Sequence, residues 1–209
     1  MSDSFYTGRI SWSPDFERHF DPACPDFATV IMTPEMEKMI EKSLESTNLS
    51  KQILKDTIFM NITHEYANFS KCTFTKVGAI AINENERIIA TGVNGTLPGQ
   101  RNCCDHHFPK RDDHVVFTQQ NEIHAEANLI LDMVKSHVSY KKLTIYITIS
   151  PCYECLKLLL SLNRKDEVVV ERIVYGEKYH RTTDAELNEM IQKAKNCGTK
   201  LEKAYIKDL

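Results

Sequence analysis

The stretch Leu143-Thr-Ile-Tyr-Ile-Thr-Ile-Ser-Pro-Cys152-Tyr-Glu-Cys155 decides the architecture. Leu143–Ile149 is a short, almost wholly apolar run rich in β-branched residues, which predicts a buried strand. Pro151 breaks it, and Cys152–Asn163 returns to helical spacing. A strand that turns directly into a helix is the repeating unit of an α/β sheet. Downstream, the pattern repeats: Val168–Tyr175 predicts a strand, 184–196 a helix ending at Gly198, and Leu201–Ile206 a last strand. Upstream lie a helix over Asn121–His137, with Ile123, Ala127, Ile130, Leu131 and Val134 on one face, and a turn-rich loop from Asn94 to about Asp113. Before these, Lys76–Asn83 and Glu86–Gly92 predict two strands joined by the turn Asn83–Asn85. Two helices lead the pattern, one opening with Thr33 as N-cap and Pro34 at its first position, the other spanning roughly 49–68. After them the order is ββαβαβαβ, which predicts a mixed sheet with helices on both faces. Residues 1–33 read as an irregular arm, carrying the aromatics Phe5, Tyr6, Trp12, Phe16 and Phe20.

Bulk properties narrow the partners. At 209 residues, 42% hydrophobic and 26% charged, the chain suits one compact domain with a short appendage. Its net charge of −3, with acidic and basic residues interspersed, argues against a nucleic-acid groove and toward a small substrate. No apolar run is long enough to span a bilayer, and the N-terminus lacks a secretory core, so a reducing, cytoplasmic setting is expected. Seven cysteines, with tight pairs at Cys103–Cys104 and Cys152–Cys155, then point to metal rather than to disulfides.

Two fragments carry chemistry: Glu122-Ile-His124-Ala-Glu126 and Pro151-Cys152-Tyr-Glu-Cys155. Two cysteines one helical turn apart can reach one metal, and His124 adds a third ligand. Three protein ligands leave the fourth position of a zinc ion open to water, as catalysis requires. Glu126, two positions beyond His124, can meet that water without ligating the metal, and so can shuttle its proton to a ring nitrogen and a departing amine. The pattern H-x-E…P-C-x-x-C is that of zinc-dependent nucleobase deaminases. A closed structural zinc site would have no use for Glu126, and a redox CxxC has no reason to be matched by H-x-E.

The chain resembles the deoxycytidylate (dCMP) deaminases of the cytidine deaminase superfamily, most of all those of T-even bacteriophages. Ser70–Ile82, Arg87–Asp105, Asn121–Leu131 and Ile149–Leu160 carry the resemblance, which covers roughly residues 49–206. It implies a three-layer αβα, cytidine-deaminase-like fold around a five-stranded mixed sheet (residues 49–209), preceded by an N-terminal extension (1–48). The implied reaction is hydrolytic conversion of dCMP to dUMP with release of ammonia, supplying dUMP for thymidylate synthesis. The resemblance further implies that Asn94 contacts the nucleotide sugar, Lys178 and Tyr179 close over phosphate and base, and Lys76 lies on the phosphate side. It implies a second, structural zinc on Cys72, Cys103, His114 and Glu122, for which Cys104, His106 and His107 are close competitors. Lys135 falls where a phage relative has a regulatory arginine, and it keeps the charge without the bidentate geometry. Family regulation by dCTP as activator and dTTP as inhibitor, bound with Mg2+, and assembly into a homo-oligomer, a hexamer favoured, complete the expectation; the compartment is the host cytoplasm if the chain is viral. The competing readings are a deaminase of another cytosine-type substrate (polynucleotide, nucleoside or modified nucleotide) and a non-catalytic regulator that keeps the metal.

Overall fold

The computed structural model describes residues 34–205 except 109, 138–139 and 165–168. The expected arm over 1–33, the Thr33 cap and the strand-end residues Val168 and Ile206 lie outside the described residues. The chain divides into two units, residues 1–45 and 46–209. Helix α1 (Pro34–Ala67) runs through the division, and residues 42–45 of its first unit are exposed.

The second unit contains the sheet. Its strands are β1 (Gly78–Asn83), β2 (Ile88–Val93), β5 (Leu143–Ile149), β6 (Val170–Glu177) and β7 (Lys200–Lys203), in the order β2-β1-β5-β6-β7. β1 runs antiparallel to both β2 and β5, whereas β5, β6 and β7 are parallel to one another. Strand alternation sorts the core into two layers. Ala79, Ala81, Ile145, Ile147, Ile173 and Tyr175 face helices α3 (Ala125–Ser136), α4 (Tyr153–Leu160) and α5 (Asp184–Asn196), meeting Leu129, Met133, Leu156, Leu159 and Met190. Ile80, Ile82, Tyr146 and Val174 face the opposite way, onto Met60, Phe59 and Ile62 of α1. The result is the expected three-layer αβα arrangement.

Three local expectations are corrected. The two leading helices are one: 46–50 contains neither Gly nor Pro, and Ser50 turns its hydroxyl onto the Ser46 carbonyl, so the serines and threonine bend to the helix instead of ending it. The loop after Asn94 contains a further helix, α2 (Arg111–Asn121), whose first turn carries Asp112 and Asp113 against the helix dipole. His114 is its fully buried side chain, so the apolar period that reveals a helix is missing. The next helix begins at Ala125 rather than Asn121, because Glu122–Ile123 (β4) pairs with Gly95–Thr96 (β3).

An ion pair ties α1 to the sheet. Arg172 donates to Asp56 at 2.8 and 3.1 Å, and the Tyr146 hydroxyl donates to the same carboxylate at 2.7 Å. Burial opposes ionisation of Asp56, but hydrogen bonds from Arg172 and Tyr146 outweigh it and hold the carboxyl below its ordinary value. Removing one member of a buried pair strands the other, at a cost of about 3–5 kcal/mol. Asp56→Ala is therefore expected to lower the unfolding free energy, read from urea titration, by that order. Because the folded value is depressed, the pair's contribution is present above the unfolded carboxyl pKa of about 3.9 and is lost as pH falls through the lower folded value. The stability difference between wild type and Asp56→Ala should accordingly narrow only in strong acid. A difference below about 1 kcal/mol at neutral pH would remove this pair from the fold's main supports.

Candidate active site

Two helix starts converge at one end of the sheet. β5 ends at Ile149, Pro151 turns the chain, and Cys152 is the N-cap of α4, with Cys155 in its first turn. His124 is the N-cap of α3, and Glu126 lies in that helix's first turn. Cys152 Sγ and Cys155 Sγ lie 3.6 and 3.4 Å from Nδ1 of His124, and the three ligand atoms fall within 4.8 Å of one another. Both helix N-termini favour negative charge here.

Protonation at this cluster already prepares it for a cation. The Cys155 thiol donates to Cys152, and with His124 this brings the Cys152 thiol down to about 3. The same bond pushes Cys155 upward, and the bond to Cys152 raises His124. The cluster thus favours the anionic form of Cys152, and a metal would take both cysteines as thiolates and His124 as the neutral imidazole. Two sulfurs and one imidazole nitrogen, with no fourth ligand in the group among the described residues, fit an open catalytic zinc site.

Glu126 is 4% exposed. Burial raises its pKa above the ordinary glutamate value, opposed chiefly by the backbone amide at its own helix start. A buried, raised carboxyl beside a metal site is suited to taking and returning a proton. Its depth depends on Gly92: a Cβ there would lie 2.1 Å from the Ala125 carbonyl, so only glycine lets β2 touch the turn carrying Glu126.

The cluster opens into a cavity of about 380 Å³, lined also by Asn94, Tyr179, Phe74 and Val77. Asn94 is buried and largely committed to the protein. Its Nδ2 donates to the Thr75 carbonyl at 3.1 Å and to Glu122 at 3.2 Å, and its Oδ1 accepts from the Val77 amide at 2.8 Å. What it can still offer is one lone pair, for a hydroxyl donor. Ser150 accepts from the Tyr179 amide at 2.9 Å, linking the Cys152 turn to the aromatic wall. Lys178 pairs with Asp184 at 2.5 Å, and neither it nor Lys76 is on the lining. Arg111, His180 and Arg181 are on the lining instead. Arg111 carries no motif and follows a turn-rich run, so nothing in the sequence singled it out.

A second cluster borders the same cavity through Cys72 and His114. Cys72, Cys103 and His114 are buried, their ligand atoms lying within 4.8 Å of one another, with Cys72 Sγ and His114 Nε2 3.3 Å apart. Burial raises Cys72 to about 11, raises Glu122 and lowers His114, so each is held toward its uncharged form. Glu122, the fourth residue expected here, does not bring an oxygen into this group; its Oε2 accepts from Asn94, and its Oε1 is buried with no partner among the described residues. An orphaned carboxylate oxygen beside two thiols and an imidazole fits a missing cation. Of the competitors, Cys104 is exposed and His106 stacks on Phe117 with centroids 4.6 Å apart; neither joins this group.

Residues 54–172 match the cytidine and deoxycytidylate deaminase zinc-binding region. The chain belongs to this deaminase family. Among its relatives, the deoxycytidylate deaminase of Enterobacteria phage T4 is 30% identical, with 61% of this chain and 80% of that protein covered. A protein described as a probable deoxycytidylate deaminase of Drosophila melanogaster is also 30% identical, over 71% and 72% of the two chains. Among solved structures, the dCMP deaminase of cyanophage S-TIM5 in complex with dCMP and dUMP has a TM-score of 0.53 at 25% identity, covering 82% of this chain and 98% of that one. This deaminase is thus a zinc-type hydrolase whose fold and phage relationship agree with the resemblance drawn from its sequence. Among the described residues no helix is long and apolar enough to cross a membrane.

Proposed function

We propose that this deaminase converts dCMP to dUMP and ammonia, with dUMP directed to thymidylate synthesis in the cytoplasm. The observation that carries the reading is the juxtaposition of the His124–Cys152–Cys155 cluster and buried Glu126 at the inner end of a nucleotide-sized cavity. Zinc bound by these three residues would supply Lewis acidity, bringing the ionisation of water from about 15.7 to about 7. Glu126 takes one proton from the attacking water and places it on the pyrimidine ring nitrogen; it then takes the proton of the added hydroxyl, as the carbonyl forms, and delivers it to the amine, whose C–N bond breaks as ammonia leaves. Asn94 accepts from a sugar hydroxyl through its remaining lone pair, and Tyr179 provides a stacking wall for the base. Atoms balance as one water consumed and one ammonia released.

Ammonia release from dCMP, deoxycytidine, CMP, dCTP and single-stranded DNA tests this directly. dCMP is expected to lead in kcat/KM, by at least tenfold over deoxycytidine; faster turnover of single-stranded DNA, or parity with deoxycytidine, would keep the chemistry and discard the substrate.

The same reading gives the Cys72–Cys103–His114–Glu122 cluster a structural zinc that braces β4 and α2 against the segment before β1. Wild type is then expected to hold two zinc ions per chain, and Cys103→Ala one, with a lower melting temperature. One ion in wild type, unchanged by Cys103→Ala, would dispose of the second site. Lys135 lines a separate cavity of about 370 Å³ with Asn128 and Asp132, a place for the phosphates of a dCTP or dTTP effector and its Mg2+. Leu131 and Val134, 44% and 65% exposed on α3, give a homo-oligomer, of hexameric form in this reading, apolar surface to cover.

A further inference from the structure

The outer lining of the catalytic cavity is cationic. Arg111 in the first turn of α2, and His180 and Arg181 in the segment after β6, are exposed residues of the lining. The lining's two carboxylates, Glu122 and Glu126, are half-buried and buried, respectively, and both belong to the metal-proximal end. Charge is therefore divided along the cavity, acidic inside and basic at the opening.

The arginine geometry is organised. Nη2 of Arg111 lies 3.3 Å from Nε2 of His180; a guanidinium has no acceptor, so the ring nitrogen accepts and holds the fork. His180 in turn packs against Tyr179, with ring centroids 4.7 Å apart, which joins this rim to the base wall. Among the described residues, neither Arg111 nor Arg181 forms an ion pair with a carboxylate, while Lys178 is engaged by Asp184.

Resting on the proposed deaminase reading, we infer that Arg111 and Arg181 bind the phosphate of a nucleoside monophosphate and thereby set the preference for nucleotide over nucleoside. His180 is a positioning residue that aims the Arg111 fork. Two planar forks suit one phosphate group, whose oxygens accept paired N–H bonds that a lysine cannot supply in that geometry. A cationic rim of two arginines is too small for a polynucleotide backbone, which needs a continuous basic track. The lysines singled out by resemblance, Lys178 and Lys76, have no place in this arrangement.

The test compares Arg111→Gln, Arg181→Gln and the double variant with wild type, using kinetics on dCMP and deoxycytidine and calorimetric titration with dUMP and deoxyuridine. Each single change is expected to raise KM for dCMP about 10- to 100-fold with a much smaller change in kcat. The double variant is expected to lose the advantage of dCMP over deoxycytidine and of dUMP over deoxyuridine. Retention of both advantages by the double variant overturns the assignment, as does a larger loss of dCMP preference in Lys178→Ala than in Arg111→Gln. If wild type deaminates neither dCMP nor deoxycytidine, the proposed function falls, and the titrations still decide the phosphate site: dUMP binding that weakens in the arginine variants supports it, and unchanged binding overturns it.

Discussion

Glu126→Gln is expected to abolish nearly all turnover while leaving fold, zinc content and nucleotide binding in place. General acid–base catalysis contributes about 10²- to 10⁴-fold per step, and in the proposed reaction one buried carboxyl serves water deprotonation, ring protonation and amine departure in turn. The amide is nearly isosteric, so the packing of the α3 start against Gly92 is preserved and the loss reads as chemistry. Glu126 is the buried carboxyl of the His124 helix start; Glu122, on the same fragment, is turned toward Cys72 and Asn94. A loss of less than tenfold, with zinc retained, would take the proton-transfer role away from Glu126.

Cys152→Ser is expected to remove the catalytic zinc and with it the activity. Cys152 is the member of the cluster whose thiolate form is favoured, by the Cys155 thiol and by His124. A serine hydroxyl does not ionise in this range, so the variant lacks the anionic ligand. Loss of a partner that merely orients a ligand costs about 10- to 100-fold in metal affinity, and loss of the ligand itself exceeds that. Metal analysis in a Cys103→Ala background isolates this site from the second cluster. The expected result is zinc near zero per chain in Cys152→Ser, against one in the parent; equal zinc in both would mean that Cys152 is not a ligand. Because Cys152 is only half-buried and caps a helix rather than filling the core, the melting temperature of the metal-free parent should change little.

Legibility followed the range of the interactions. The grouping of His124, Cys152 and Cys155, with Glu126 beside them, is readable because each pair is local: Cys152 and Cys155 share one helical turn, and His124 and Glu126 share one helix start, so spacing alone constrains their geometry. The strands were readable from runs of β-branched residues, and the αβ alternation around Leu143–Cys155 led to the three-layer fold. Where a helix buries little, periodicity is silent: α2 presents His114 inward and no apolar stripe, so it read as loop. The merger of the two leading helices escaped for the converse reason, since serine and threonine that read as helix breaks bond to the preceding turn instead.

What the sequence by itself determined is therefore the zinc-deaminase family and the sheet-and-helix order, set by motif residues within a turn of one another and by periodicities of two and 3.6. What only the tertiary structure decided is which distant residues share a space. Cys72, Cys103 and His114 come from the segment before β1, the long connection and α2, and nothing in their spacing says that they meet. Asn94 proves to be bonded on most of its valences, which leaves one acceptor for a ligand. Arg111, His180 and Arg181 are on the cavity lining and Lys178 is not: Asp184 engages the lysine, and α2 carries Arg111 across to His180. Contacts between residues dozens of positions apart depend on how the layers pack, and that information exists only once the sheet has formed.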